Sequence, residues 1–168
     1  MFNKFLGSVV IMGCSFFITK SMTAKLKKRK NSLNAFHSIL VMLESEICFS
    51  ANSIDRAFQN ISTSIDLPDF FEYVISKAKI SGIRKAWRDG IENFKDILCL
   101  NGEDVKILNT LSTQLGITDK ENQIKNIHYV LELLECSEKD AHEKSSSLSK
   151  LYGAFGMSAG LTTVILLL

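Results

Sequence analysis

Both ends of this chain are apolar, whereas its middle is rich in charge. Residues 5–19 contain no charged side chain, and neither do the last eighteen residues, 151–168. Helices that are long and free of charge are stable inside a lipid bilayer. The sequence therefore predicts a transmembrane anchor over residues 1–24, a cytoplasmic helical domain over residues 25–150 and a C-terminal transmembrane segment over residues 151–168.

A basic cluster directly follows the first apolar stretch. It consists of Lys25, Lys27, Lys28, Arg29 and Lys30. Lys and Arg beside a span mark its cytoplasmic side, and each such cation near anionic headgroups contributes about 1 kcal/mol of membrane affinity. We therefore expect a membrane hairpin whose domain faces the cytoplasm, with these five residues fixing the topology and contacting headgroups.

Both predicted spans are short for a bilayer. As helices they extend about 22 Å and about 27 Å, against a hydrocarbon core of about 30 Å. Lys4 and Lys20 could lengthen the first by snorkelling, and the second could instead be a buried or interfacial helix. A lipoprotein leader is disfavoured because the apolar run continues past Cys14. Gly156 and Gly160 form a GxxxG pattern, which lets two helices approach closely in lipid.

Charge is divided unevenly along the chain. The first 30 residues hold seven basic and no acidic residues, and the remaining 138 hold 13 basic and 18 acidic residues, a net charge of −5. Nucleic-acid-binding proteins need a basic face, so the sequence predicts no nucleic-acid partner. An acidic body beyond a basic cluster suits anionic lipid at the membrane and a basic protein partner beyond it.

Hydrophobic spacing between the apolar ends is helical almost throughout. The spacing and the cap signals predict about six helices. The first has its apolar face at residues 33–47 and ends near Asn52, the second is capped by Ser53 with Ile54, Phe58 and Ile61 inward, and the third runs from Pro68 to Ser81. The fourth lies around Trp87, the fifth lies between Asn101-Gly102 and Gly116, and the sixth begins at a capping box at residues 118–121 with Ile124, Ile127, Leu131 and Leu134 inward. The charged run 138–144 and serines 145–147 should lead to the second span. Short joints favour antiparallel neighbours, so the predicted fold is all-α: a compact bundle flanked by transmembrane helices.

No motif points to catalysis or to a cofactor. The chain has no glycine-rich phosphate loop, HExxH or GxSxG. Its cysteines lack metal-ligand spacing, and Cys48, Cys99 and Cys136 are predicted to be inert buried thiols. His128 and Cys136 could share a helix face, but two ligands do not make a zinc site. We expect a protein that is not an enzyme and carries no metal or cofactor.

Four polar residues are candidate partner contacts. Glu44 and Glu46 lie two residues apart in an apolar helix, so they point to different faces and are not an acid–base pair. They are either solvated, or Glu46 pairs with a basic group in the bundle or on a partner. Asp119 and Gln123 share a helix face, although capping alone would explain an acid at a helix start.

Short segments over nearly the whole chain follow a characteristic order and spacing. They are the glycine-bearing first span with its basic cluster, LESEI at residues 43–47, SIDRAF at 53–58, LGITD at 115–119 with Gln123, and KLYGAFG at 150–156. Together they resemble the stage III sporulation protein AB family of endospore-forming bacteria.

The resemblance implies a fold and a role. The family is similar to the cytoplasmic helical domain of F-type platform proteins in type II secretion and type IV pilus systems. Its members would lie in the outer forespore membrane, with the soluble domain in the mother cell, as subunits of a channel to the forespore. The implied partners are a secretion-type ATPase and the other membrane subunits, and the implied role is structural coupling.

Two questions stay open at the level of sequence. Platform proteins carry two copies of the domain whereas this chain has one, so self-association into a homo-oligomer is a further expectation. The alternative function is a small membrane-bound sensor or signalling protein with a helical cytoplasmic domain. That alternative predicts a ligand pocket and independence from an ATPase.

Overall fold

The computed structural model describes the backbone of residues 2–49, 57–58, 61, 67–117 and 119–167, and the side chains of residues 20–49, 57–58, 61, 67–117, 119–148 and 151. Over these ranges the protein is all-α, as predicted, with five helices and no strand. The helices are α1 (Phe2–Phe49), α2 (Pro68–Ser81), α3 (Ile83–Phe94), α4 (Gly102–Gln114) and α5 (Lys120–Leu167). Ala57, Phe58 and Ile61 are also helical. The remainder of the predicted second helix, including its Ser53 cap, lies outside the described residues.

Local chemistry sets the helix boundaries, largely as the sequence predicts. Pro68 occupies the first turn of α2, where its missing N–H is not needed. Gly82 separates α2 from α3 with φ of 78°, and Gly116 follows α4 with φ of 75°, a region that glycine adopts without strain. Asn101 caps α4 through its side-chain oxygen, and Asp119 caps α5 by accepting a hydrogen bond from the Asn122 N–H at 2.9 Å.

The first and last helices are each 48 residues long, about 72 Å at 1.5 Å per residue. The prediction divided α1 into a span and a separate domain helix, and it had the charged run 138–144 and serines 145–147 lead to the second span. Instead, each helix runs without interruption from the core to the apolar chain end. The reason is local: residues 20–49 and 120–148 contain neither proline nor glycine, so nothing in them ends a helix.

The two long helices pack against each other in antiparallel orientation. Glu44 of α1 pairs with His128 of α5, and Lys30 of α1 lies beside His142 of α5, so residue numbers fall on one helix as they rise on the other. The remaining helices add in the order α5 on α4, α4 on α3 and α3 on α2. Both long helices therefore leave the bundle at the same end.

The core is centred on Trp87, which is fully buried. Its ring meets those of Phe36, Phe58 and Phe70 at centroid distances of 6.0, 5.8 and 5.4 Å, in the edge-to-face geometry that aromatic pairs favour. Its Nε1–H donates to the Leu108 carbonyl oxygen at 2.8 Å. Trp87 thus joins α1, α2, α3 and α4 in one core.

The long helices contribute one apolar stripe each. On α1 the predicted stripe is buried in full: Leu33, Phe36, Leu40, Leu43 and Ile47. On α5 the buried face is Ile127, Val130, Leu134 and Ala141, whereas Ile124 and Leu131 are only half-buried. The buried face of α5 is therefore slightly rotated around the helix axis from the predicted one. The reason is that α5 packs against both α1 and α4.

Membrane crossing is not confirmed. Within the described part of the chain, no helix has a stretch both long and apolar enough to cross a bilayer. Nearly all side chains of the predicted spans lie outside the described residues. The backbone of α5 continues through Gly156 and Gly160, but their packing also falls outside that description.

Candidate protein-interaction site

A buried ion pair connects α1 to α4 near the end of the bundle at which the two long helices leave it. Arg29 of α1 donates from Nε to Asp104 Oδ2 at 2.7 Å and from Nη2 to Asp104 Oδ1 at 2.9 Å. Arg29 is 5% exposed and Asp104 is 0% exposed. The fork of the guanidinium matches the two carboxylate oxygens, which makes the pair both strong and directional.

A second carboxylate extends this pair to α5. Arg29 Nη1 donates to Asp140 Oδ2 at 3.2 Å, and Lys144 Nζ donates to the same oxygen at 2.9 Å. We call Arg29, Asp104 and Asp140 the arginine clamp. It joins α1, α4 and α5 through one guanidinium, at the level where α1 and α5 leave the core.

The charges of the clamp reinforce one another. The hydrogen bond that Arg29 donates to Asp104 raises the pKa of Arg29 above its ordinary value, against the opposing effect of burial. The hydrogen bond from Lys144, followed by that from Arg29, lowers the pKa of Asp140. Both shifts favour the charged forms of Arg29 and Asp140.

Arg29 therefore departs from its predicted role. A side chain 5% exposed and bound to two carboxylates is not available to lipid headgroups. Lys25, Lys27 and Lys28 are exposed, and Lys30 is half-buried with its Nζ 3.1 Å from His142 Nδ1. For these four lysines, a role in topology and headgroup contact stays a prediction.

Of the two candidate glutamates, Glu44 lies on the seam between α1 and α5. Glu44 Oε1 is 2.8 Å from His128 Nε2, and Glu46 is half-buried. His37 Nε2 is 3.9 Å from Glu135 Oε1. With Lys30 beside His142, all three histidines of the chain lie on this seam. Glu44 thus helps to set the register of the long helices.

Asp119 and Gln123 are joined by a backbone hydrogen bond at the start of α5, from the Gln123 N–H to the Asp119 carbonyl oxygen at 3.0 Å, but their side chains differ in role. Asp119 accepts hydrogen bonds from the backbone and side-chain nitrogens of Asn122, so capping accounts for its position. Gln123 is half-buried and lines a groove of about 1020 Å³. The groove lies between the α2–α3 turn and the α4–α5 joint.

The groove carries a concentration of positive charge. Its lining includes Arg84, Lys85 and Arg88 of α3, all exposed, and none of the described residues that line it is acidic. We call it the basic groove. Sequence analysis did not single it out, although Arg84 and Arg88 stand four residues apart, the spacing of one helix face.

The described residues show no metal centre. Among them, no group of three or more His, Cys, Asp or Glu side chains is arranged to hold an ion. Cys48 and Cys99 are half-buried rather than fully buried, and Cys136 is exposed, which departs from the prediction of three buried thiols. The inward face of α5 is set by Leu134 and Ser137, and Cys136 falls outside it.

Sequence analysis also missed the partners in the arginine clamp. One signal for Asp104 was available: Asn101 followed three residues later by an acid is a capping-box pattern, and the structure shows that box complete. Nothing in the pattern indicates that Arg29, 75 residues away, pairs with the same carboxylate.

Comparison with known proteins places this geometry in a family context. The family model described as stage III sporulation protein AB matches residues 4–168. A solved structure titled stage III sporulation protein AB (SpoIIIAB) is similar with a TM-score of 0.63 and 25% sequence identity, over 71% of this chain and 97% of that one. Comparison with curated protein sequences found no match.

Proposed function

We propose, from the premise that this chain belongs to the stage III sporulation protein AB family, that it is a membrane-anchored structural and coupling subunit of a sporulation channel complex. In this role it forms part of the platform for a secretion-type ATPase. The complex connects the mother cell with the forespore. The chain itself is not an enzyme.

The arginine clamp is the observation that carries this proposal. One buried guanidinium joins α4 to both long helices, and those helices continue towards the apolar chain ends. A displacement of the short helices by a partner is therefore passed to α1 and α5 through charged hydrogen bonds that hold a fixed geometry. Such a connection suits a coupling element.

The antiparallel long helices support the proposed membrane topology. A hairpin anchored at both chain ends requires the helices that lead to those ends to leave the domain on the same side, and antiparallel pairing provides this. Exposed Lys25, Lys27 and Lys28 then lie where cytoplasmic headgroups are expected. We propose anchoring in the outer forespore membrane, with the bundle in the mother-cell cytoplasm.

Recovery of the intact complex tests the proposal. The tagged full-length chain is extracted in mild detergent from cells entering sporulation, and co-purifying proteins are identified by mass spectrometry. We expect a secretion-type ATPase together with other small membrane subunits. Recovery of folded chain alone, at full yield, would contradict the proposal and favour the sensor alternative.

A variant of Glu46 extends this experiment to a half-buried carboxylate of α1. If Glu46 pairs with a basic group in the bundle or on a partner, Glu46→Ala reduces recovery of the complex. Glu132→Ala, on an exposed position of α5, is the matched control and should leave recovery unchanged. Normal recovery and normal sporulation with Glu46→Ala would remove Glu46 from the interaction site.

A further inference from the structure

The basic groove is framed by two glycine turns. Gly82 and Gly116 both have positive φ, 78° and 75°, and both line it. A side chain is strained at such backbone angles. Gly82 directly precedes α3 and Gly116 follows the end of α4, so the start of α3 and the end of α4 face each other across the groove.

The cations of this groove form no ion pair with the described residues. No carboxylate oxygen of the described residues lies within the 4.0 Å ion-pair limit of Arg84, Lys85 or Arg88. By contrast, Lys125 pairs with Glu121 at 2.8 Å and Lys144 pairs with Asp140 at 2.8 Å. Exposed Lys77 and Lys106 likewise have no ion pair among the described residues. The three groove cations differ from them in lining one groove together.

Their position is also unfavourable for the helix that carries them. Arg84 and Lys85 lie in the first turn of α3, which contains no acidic residue. The helix dipole disfavours positive charge at that end. Helix stability therefore does not account for these cations, and they form a basic patch on a body whose net charge is −5 over residues 31–168.

We propose that the basic groove binds an acidic segment of a protein partner. Opposite potentials across an interface steer association and fix its register, and three exposed cations that line one groove provide that potential. Ile117, 59% exposed at the groove edge, supplies an apolar contact, and Gln123 supplies polar contacts on the α5 side. The identification of this partner as a subunit of the sporulation complex rests on the proposed function.

Site-specific cross-linking in cells entering sporulation tests the occupant. Ile117 of the full-length chain is replaced by benzoylphenylalanine, which keeps all three cations, and Tyr129 on the exposed face of α5 provides the matched control position. The expected product is a cross-link from position 117 to a segment of another protein with at least three Asp or Glu in about ten residues. A cross-link to a second copy of this chain, to RNA or to a neutral segment overturns the proposal, as does a yield no higher than at position 129.

Charge reversal tests whether the cations hold the occupant. Arg84→Glu with Arg88→Glu should reduce the cross-link yield about tenfold, whereas Lys77→Glu with Lys106→Glu, exposed lysines outside the groove, should change it less than about twofold. The neutral pair Arg84→Gln with Arg88→Gln, expected to give an intermediate loss, serves if the reversed pair does not fold. Equal yields in the groove and control variants overturn the proposal.

The two proposals fail in distinguishable ways. If the unmodified chain recovers the ATPase but gives no charge-dependent cross-link, the groove proposal is wrong and the proposed function stands. If the cross-link depends on Arg84 and Arg88 but no ATPase is recovered, the groove proposal stands and the proposed function is wrong.

Discussion

One side-chain oxygen of Asp104 accepts two hydrogen bonds. One comes from Arg29 on α1, and the other comes from the Asn101 backbone and completes the capping box of α4. Asp104 Oδ2 lies 2.7 Å from Arg29 Nε and 2.9 Å from the Asn101 backbone nitrogen. The start of α4 is therefore fixed to α1 through one buried carboxylate. Loss of either partner affects a helix end and a helix–helix contact together.

The first prediction concerns this pair. Arg29→Ala leaves the buried Asp104 side chain without its ion-pair partner, so the free energy of unfolding should fall by about 3–5 kcal/mol. This free energy is measured by urea unfolding of the full chain in detergent. The signal is the fluorescence of Trp87, the only tryptophan of the chain. Lys144→Ala removes an exposed partner of Asp140 and should lower the free energy of unfolding by less than about 1 kcal/mol. Equal effects would argue against a clamp.

The second prediction concerns the close approach of α2 and α3. A Cβ at position 90 would lie 2.8 Å from Val74 Cγ2 and 3.1 Å from Phe70 Cε2. Gly90→Ala should therefore lower the free energy of unfolding by about 1–3 kcal/mol through overpacking, although alanine normally stabilises a helix interior. Gly102→Ala, where a Cβ meets nothing within 4 Å, is the control for thermal unfolding and should not reduce stability. Val74→Ala in the Gly90→Ala chain should recover part of the loss.

The third prediction concerns the hydrogen bond of Trp87. Trp87→Phe removes the donor to the buried Leu108 carbonyl and leaves a small void among three aromatic rings. We expect the free energy of unfolding to fall by about 2–3 kcal/mol, since an unsatisfied buried acceptor alone costs about 1–3 kcal/mol. Circular dichroism measures the change without relying on the lost fluorophore. Phe94→Leu, at a half-buried ring, should have a smaller effect, and the reverse order would contradict the central place of Trp87.

The fourth prediction concerns pH. Burial raises the pKa of Glu138 above its ordinary value of 4.5, and its Oε1 has no hydrogen-bond partner among the described residues. The folded state therefore holds this proton more tightly than the unfolded state does. The resulting stabilisation is present below that ordinary value and is lost as pH rises through the folded pKa.

Glu138→Gln mimics the protonated side chain at every pH. We expect it to be at least as stable as the unmodified chain at pH 7 and to show a flatter stability profile between about pH 4 and pH 7. Thermal unfolding at a series of pH values measures this. The exposed Glu132→Gln on the same helix should leave the profile unchanged. A Glu138→Gln chain that is less stable than the unmodified one at neutral pH would contradict a raised pKa of Glu138 in the folded state.

The sequence by itself determined the local structure. The spacing of Leu33, Phe36 and Leu40 fixed the buried face of α1, because side chains three and four apart share one face of a helix whatever packs on it. Pro68 and Gly82 fixed the ends of α2 for equally local reasons of backbone geometry. The fold class and these boundaries were therefore predictable.

Tertiary structure alone decided which charges are buried and which are left exposed. Arg29 follows three lysines in sequence and reads as one more surface cation, yet packing of α1 against α4 and α5 places it beside Asp104 and Asp140. Arg84 and Arg88 read as an ordinary solvated helix face, yet the joint of α4 and α5 makes them one wall of a groove. The energy of a charge depends on its neighbours and on its exposure to water, and both are set by residues that lie far apart in the chain.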